Sequence, residues 1–248
     1  MAGCTPRVLH LLPSLQVGGV ERGVLELCGS HEDSLIASAG GQMAERLSSP
    51  LLCARCLAWR DPLSVLVINP CLLAAWSSSR AVTHLHSHSR ALGLSARIAA
   101  VLLWALGRPV SVVVTWHGYY DTSSVFKRAV CAAVLGGADA LIFPSHALAA
   151  HVERVFGRRV RADRAVIYRG VETTAHSRAD HAAGDEAEAP RRPGAACLLL
   201  PGRLSRSKGH DMLIAAARLL AAHDDDDADG MPLGIHVVMM GALSLIHI

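Results

Sequence analysis

Short apolar runs alternate with segments of helical periodicity along most of this chain. The pattern predicts strands at 8–12, 110–115, 140–144, 165–168, 196–200 and 235–240, and helices at 20–28, 92–106, 125–135, 147–155 and 211–223. Several of these strands are apolar throughout, which is typical of parallel sheets that crossover helices cover on both faces. The alternation therefore predicts a doubly wound α/β fold.

The length of 248 residues and the hydrophobic content of 51% suit one or two domains with a sizeable core. Between 173 and 194 the apolar periodicity gives way to Asp, Glu, Ala, Pro and Arg. This break predicts a first domain over 1–172, a linker over 173–194 and a second domain over 195–248. The second piece holds two strands and one helix, so we expect an incomplete Rossmann-like domain.

Charge and cysteine content narrow the class of protein. A net charge of +3 is too small to indicate nucleic-acid binding. Seven cysteines, an odd number without a small-domain framework, fit free thiols in a reducing compartment. The apolar start at 8–12 runs directly into Pro13 and does not resemble a secretion signal. These features predict a cytoplasmic protein.

The loop over 201–209 places two cations directly after the predicted strand at 196–200 and before a predicted helix. Gly202 and Gly209 flank Arg203 and Lys208. An arginine can hold phosphate oxygens in a planar fork, and a lysine adds a point charge near the N-terminus of the helix. Two ordinary solvated loop charges are an equally good interpretation of this loop alone. The order of residues is not that of a P-loop.

A second strand-to-helix loop near the start of the chain follows the same logic. Gly18 and Gly19 lie between the strand at 8–12 and the helix at 20–28. Paired glycines let a backbone approach an anion closely, and the helix dipole favours negative charge there. For Gly-Gly taken alone, a plain tight turn is the favoured interpretation.

Five segments together resemble family 4 retaining glycosyltransferases of the GT-B fold, and they occur in the order of that family. They are GGVER at 18–22, HSHSR at 86–90, VTWHGYY at 114–120, IYRGVE at 167–172 and GRLSRSKG at 202–209. The resemblance implies two Rossmann-like domains, the second incomplete here. It also implies transfer of a sugar from a nucleoside-diphosphate donor to a hydroxyl acceptor with retention of configuration, without a cofactor.

The resemblance also implies roles for individual residues. His117, at the carboxyl end of the strand at 110–115, would contact the donor sugar, and Arg203 and Lys208 would neutralise the leaving diphosphate. The remaining substrate-binding residues implied are Gly18, Gly19, Glu21, His88, Arg90 and Gly202. A capped histidine without a ligand is the alternative interpretation of His117.

His84, His86 and His88 alternate, so on a strand they would share one face and could chelate a metal. No acidic or cysteine ligand completes the set, and the family resembled does not depend on a metal. Hydrogen-bonded histidines at a strand end are the favoured interpretation, so we predict no metal site.

One departure from the family keeps a second function open. The second domain of the family carries two glutamates seven residues apart, and nothing after Gly241 supplies them. The alternative is therefore a non-catalytic, truncated relic or a sugar- or nucleotide-binding module. Arginines over 154–164 leave open a lipid-linked acceptor and peripheral contact with the inner face of a membrane, although solvated surface charge is favoured.

Overall fold

The computed structural model describes residues 5–47, 50–53, 61–157, 160, 162–170, 196–202, 208–224 and 235–240. The chain divides into two compact units, 1–171 and 172–248. The predicted linker over 173–194 and Arg203 lie outside the described residues. Among the described helices, none combines the length and the apolar character needed to cross a membrane.

The first unit contains a sheet of seven parallel strands in the order β3-β2-β1-β4-β5-β6-β7. The strands are β1 Val8–Leu11, β2 Ser34–Ser38, β3 Leu51–Cys53, β4 His84–Ser87, β5 Ser111–Thr115, β6 Ala140–Phe143 and β7 Asp163–Val166. The strand order reverses between β1 and β4. In open α/β sheets the crevice outside the carboxyl ends at such a switch point is where ligands bind.

In the described part of this unit, five α-helices connect these strands. They are α1 Gly19–Gly29, α2 Asn69–Ser79, α3 Arg90–Ala105, α4 Val125–Gly137 and α5 His146–Phe156. Ser89, Ser124 and Ser145 cap α3, α4 and α5, because each hydroxyl accepts a hydrogen bond from a backbone N–H in the first turn. By contrast, Gly18 precedes α1 and provides no side-chain cap.

The two faces of the sheet carry different side chains because neighbours along a strand alternate. Leu9 and Leu11 of β1 belong to a large core that includes residues of α2, α3 and α4. Leu12 belongs instead to a smaller core with Val24 and Cys28 of α1. His10 lies on the side of the sheet that faces this smaller core, and so do the other histidines described below.

The second unit contains β8 Ala196–Pro201, α6 His210–Asp224 and β9 Ile235–Met240. The strands β8 and β9 pair in parallel with Ala196 opposite Ile235. This is one β-α-β unit, as the pattern of apolar positions predicts.

The predicted fold class is confirmed as α/β with Rossmann-like parallel sheets. The strands β2, β3 and β4 and the helix α2 were not among the predicted elements, although the alternation of His84, His86 and His88 is compatible with a strand. The apolar run over 63–76 contains Pro70, which is compatible with a helix because it occupies the first turn of α2. The strand β7 also begins two residues before the predicted range at 165–168.

Candidate functional site

Four histidines gather at the carboxyl ends of three central strands. His10 of β1 lies opposite His86 of β4 in the parallel register. His88 follows β4, and His117 follows β5. Because all four lie at alternating positions of the same face, the sheet brings together residues that are far apart in the chain.

Three of these imidazoles form a chain of hydrogen bonds. Nδ1 of His10 lies 3.1 Å from Nε2 of His88, and Nδ1 of His88 lies 3.1 Å from Nε2 of His117. Both ring nitrogens of His88 are therefore engaged. His86 packs on His88 with ring centroids 4.2 Å apart, and its Nε2 is bonded to Oγ1 of Thr115 at 2.7 Å.

Burial keeps these histidines uncharged near neutral pH. Loss of hydration lowers the pKa of His10 to about 4 and that of His86 to about 3, with further lowering by neighbouring histidines. The same cause holds the pKa of His88 well below its usual range. Burial and the nearby guanidinium of Arg169 lower the pKa of His117 to about 4. The cluster is thus a neutral polar network.

Arg169 brings a positive charge to the N-terminal turn of α1. Its Nη2 donates to the backbone carbonyl of Val20 at 3.4 Å. A Cβ added at Gly23 would lie 2.1 Å from Nη2, and one added at Gly19 would lie 3.0 Å from Nη1. The glycines of α1 thus leave the space that the guanidinium occupies. Arg169 was not among the site residues predicted from the sequence.

Glu21 and Arg90 lie in different surroundings. The Glu21 carboxylate folds back against Gly18, where an added Cβ would lie 2.2 Å from Oε2. Arg90 begins α3, and its Nη1 donates to Sγ of Cys131 at 3.6 Å. Its guanidinium also lies 5.4 Å from the ring centre of Tyr120. The structure therefore directs Arg90 toward α4.

In the second unit, Lys208 approaches Gly202 across the loop. A Cβ added at Gly202 would lie 3.5 Å from Cγ and Cδ of Lys208. Gly202 has a φ of 148°, a conformation that favours glycine. The loop therefore places the exposed Lys208 side chain beside the end of β8.

Of the alternating histidines His84, His86 and His88, the last two belong to the cluster that forms. Candidate ligand nitrogens of His10, His86 and His88 all lie within 4.8 Å of one another. His84 instead bonds Oγ1 of Thr83 through Nδ1 at 2.8 Å. Sequence reasoning missed His10, because its contact with His88 spans 78 residues and depends on the pairing of β1 with β4.

The parallel sheet with its polar edge at β1, β4 and β5 defines a Rossmann-like α/β protein. The model of Glycosyltransferase Family 4 matches residues 17–175, well over half of the chain. The chain belongs to this family. No curated protein matches it significantly.

Solved structures with the same fold are glycosyltransferases and related synthases. A glycosyltransferase from Rickettsia africae ESF-5 is 20% identical with a TM-score of 0.63, over 97% of this chain and 62% of that one. Anabaena Alr3699/HepE is 16% identical with a TM-score of 0.67, over 94% and 60%. A trehalose-6-phosphate structure from Escherichia coli with bound UDP-2-fluoro glucose is 14% identical with a TM-score of 0.62, over 96% of this chain and 65% of that one. The chain thus spans about three-fifths of these neighbours and shares their GT-B type of fold.

Proposed function

We propose that this chain belongs to an enzyme that transfers a sugar from a nucleoside-diphosphate donor to a hydroxyl acceptor with retention of configuration. The family 4 match over 17–175 carries the proposal, because it includes α1, three histidines of the cluster (His86, His88 and His117) and Arg169. Anabaena HepE was solved with UDP and glucose, and the Escherichia coli neighbour with UDP-2-fluoro glucose. These ligands support a nucleoside diphosphate as the leaving group.

The leaving diphosphate requires positive charge that is fixed before reaction begins. We assign this role to Arg203 and Lys208, which follow β8. Gly202 shapes the start of this loop through its unusual φ. A loop without these cations would leave the new charge poorly stabilised. In the first unit, we assign substrate binding through backbone N–H groups to Gly18 and Gly19 at the positive end of α1.

The sugar is assigned to the edge formed by β4 and β5. His117 is half-buried there, and as a neutral imidazole it offers one donor or one acceptor to a sugar hydroxyl. His88 lies directly behind it, and Glu21 lies at the start of α1. Arg90 can contact substrate only if its guanidinium leaves Tyr120.

The proposed reaction is a front-side displacement. The acceptor oxygen forms its bond to the anomeric carbon on the face that the diphosphate leaves, and a phosphate oxygen takes the acceptor proton. The configuration is therefore retained without a protein base. No metal or cofactor is assigned a role.

The acceptor and the location in the cell are also part of the proposal. The family resemblance implies a hydroxyl acceptor, the sequence is the basis for proposing a cytoplasmic location, and a lipid-linked acceptor would bring the protein to the inner face of a membrane. Arg164 pairs with Glu153 at 3.5 Å, both exposed, which supports a solvated surface for this arginine.

The direct test is release of UDP from UDP-sugar donors by the full chain, with donor binding followed by calorimetry. Lys208→Ala and Arg203→Ala each remove a charge-assisted phosphate contact, so we expect kcat/KM to fall roughly ten- to a hundredfold. Lys127→Ala is the matched control, because this lysine pairs with Asp121 in the first unit. Donor binding without turnover would favour the binding module. Equal kcat/KM in Lys208→Ala and wild type would refute the phosphate assignment.

A further inference from the structure

The central ring of the histidine chain imposes a constraint on the other two. A neutral imidazole has one N–H donor and one lone-pair acceptor. His88 uses Nε2 toward His10 and Nδ1 toward His117. It must therefore donate in one of these bonds and accept in the other. The two hydrogen bonds run in the same direction along the chain.

Each direction fixes the tautomer of every ring. If His117 donates from Nε2, His88 accepts at Nδ1 and donates from Nε2, and His10 accepts at Nδ1 and carries its proton on Nε2. If the direction is reversed, His10 donates from Nδ1, His88 donates from Nδ1, and His117 accepts at Nε2 and carries its proton on Nδ1. Only these two arrangements satisfy both bonds.

We propose that His88 and His10 are positioning residues that set the tautomer of His117 through this chain, so that all three rings are either Nε2–H or Nδ1–H together. The direction decides whether Nδ1 of His117, the nitrogen outside the chain, presents an acceptor or a donor to a ligand. His10 thereby acts on a side chain that it does not touch.

The surroundings support a neutral chain that is held in place. His86 packs against His88 with the two rings tilted by 36°, and His86 is itself hydrogen-bonded to Thr115, which restricts rotation of the central ring. The groups that face the chain are Arg169 beside His117, and His86 and His31 beside His10. A positive guanidinium and burial both disfavour an imidazolium here.

A metal ion would use the same nitrogens differently. Zinc needs about 2.0–2.1 Å to each imidazole nitrogen, with the lone pairs converging on one point. Nδ1 of His10 and Nε2 of His88 instead point at each other at 3.1 Å, the geometry of an N–H···N hydrogen bond in which one nitrogen donates and the other accepts. We therefore favour the hydrogen-bonded chain.

The test is the tautomeric state of each ring in the full chain labelled with 15N-histidine. Long-range 1H–15N spectra distinguish a protonated ring nitrogen from one with a lone pair, and single His→Leu variants assign the signals. At pH 7.5 we expect His10, His88 and His117 to be neutral and to share one tautomer. Mixed tautomers, or an imidazolium at any of the three, would overturn the proposal.

Variants and zinc addition complete the test. His88→Leu interrupts the row of hydrogen-bonded histidines, so the tautomer ratio of His117 should change. His84→Leu, on the same face of the sheet, should leave the tautomer ratio of His117 unaltered. If His88→Leu does not fold, the wild-type spectrum alone still decides. One equivalent of Zn²⁺ should shift no NMR signal of His10, His88 or His117. A joint shift of the His10, His86 and His88 signals would establish a metal site instead.

The positioning role rests on the proposed function, because His117 matters only if it contacts a ligand. The spectra require no donor and no turnover. Failure of the tautomer pattern is thus distinguishable from failure of sugar transfer.

Discussion

Acidification should destabilise the first unit strongly, and the buried histidines are the reason. His10, His86 and His88 stay neutral in the folded chain at pH values where an exposed histidine ionises. Between the ordinary pKa and the lowered one, the unfolded chain binds more protons than the folded chain does. Stability therefore rises with pH in this window and is lost as the pH falls from about 6.5 toward about 4.

The magnitude follows from the same difference. Lowering the pH from 7.5 to 5.5 costs about 1.3 kcal/mol for each histidine that ionises only in the unfolded chain. The three buried rings together give about 4 kcal/mol, with His117 left out because it is only half-buried. Typical total stabilities are about 5–15 kcal/mol, so the effect is large. At pH 5.5 most carboxylates remain ionised and contribute little.

Urea unfolding followed by tryptophan fluorescence is the suitable assay, because all four tryptophans lie within 1–171. We expect the urea midpoint to fall by about 2 M between pH 7.5 and pH 5.5. His10→Leu should reduce this pH dependence. Leu85→Ala, which would create a cavity beside the same sheet, should instead lower the urea midpoints at pH 7.5 and pH 5.5 equally. A wild-type midpoint that does not change with pH would refute the reasoning.

Three further predictions concern other parts of the chain. Gly41 has a φ of 150°, and an added Cβ would lie 2.5 Å from the Leu15 backbone. Gly41→Ala should therefore lower the urea midpoint more than Gly107→Ala, whose Cβ would meet nothing within 4 Å although its φ is 71°. EDTA should leave donor turnover unaltered; a loss that Mn²⁺ restores would point to His10, His86 and His88. The composition of 173–194 predicts early cleavage in limited proteolysis, and a first cut within 61–157, read by mass spectrometry, would contradict it.

The elements that the sequence predicted best are those whose pattern matches one period throughout. β5 reads SVVVT and is apolar and β-branched, and α5 repeats its apolar positions at helical spacing. The strand β2, which reads SLIAS, begins and ends with serine and shows no alternation of apolar and polar residues. The helix α2 carries apolar residues around most of its surface, so its period is weak. These elements depend on burial by their neighbours.

Some residues of the candidate site could be placed from the sequence, and others could not. His88 and His117 follow strands directly, so their place at the carboxyl edge could be read from the order of the chain. His10 and Arg169 act through contacts across 78 and 149 residues, which only the strand order creates. Gly23 indicates space for another side chain beside α1, because a glycine one turn after Gly19 leaves a gap on that side of the helix. A gap alone does not say which side chain fills it.

The histidine chain also explains why polar rings are tolerated on a buried face of the sheet. A buried imidazole nitrogen without a partner costs about 1–3 kcal/mol, and each ring here supplies the partner that the next one needs. The rings are therefore interdependent: removal of His88 would leave Nδ1 of His10 and Nε2 of His117 without their bonds. Apolar groups of the same shape in place of the whole set can be nearly neutral or stabilising. The sheet instead keeps a polar network that ends at the half-buried His117, and under the proposed function this network would hold His117 in one protonation state for contact with the sugar.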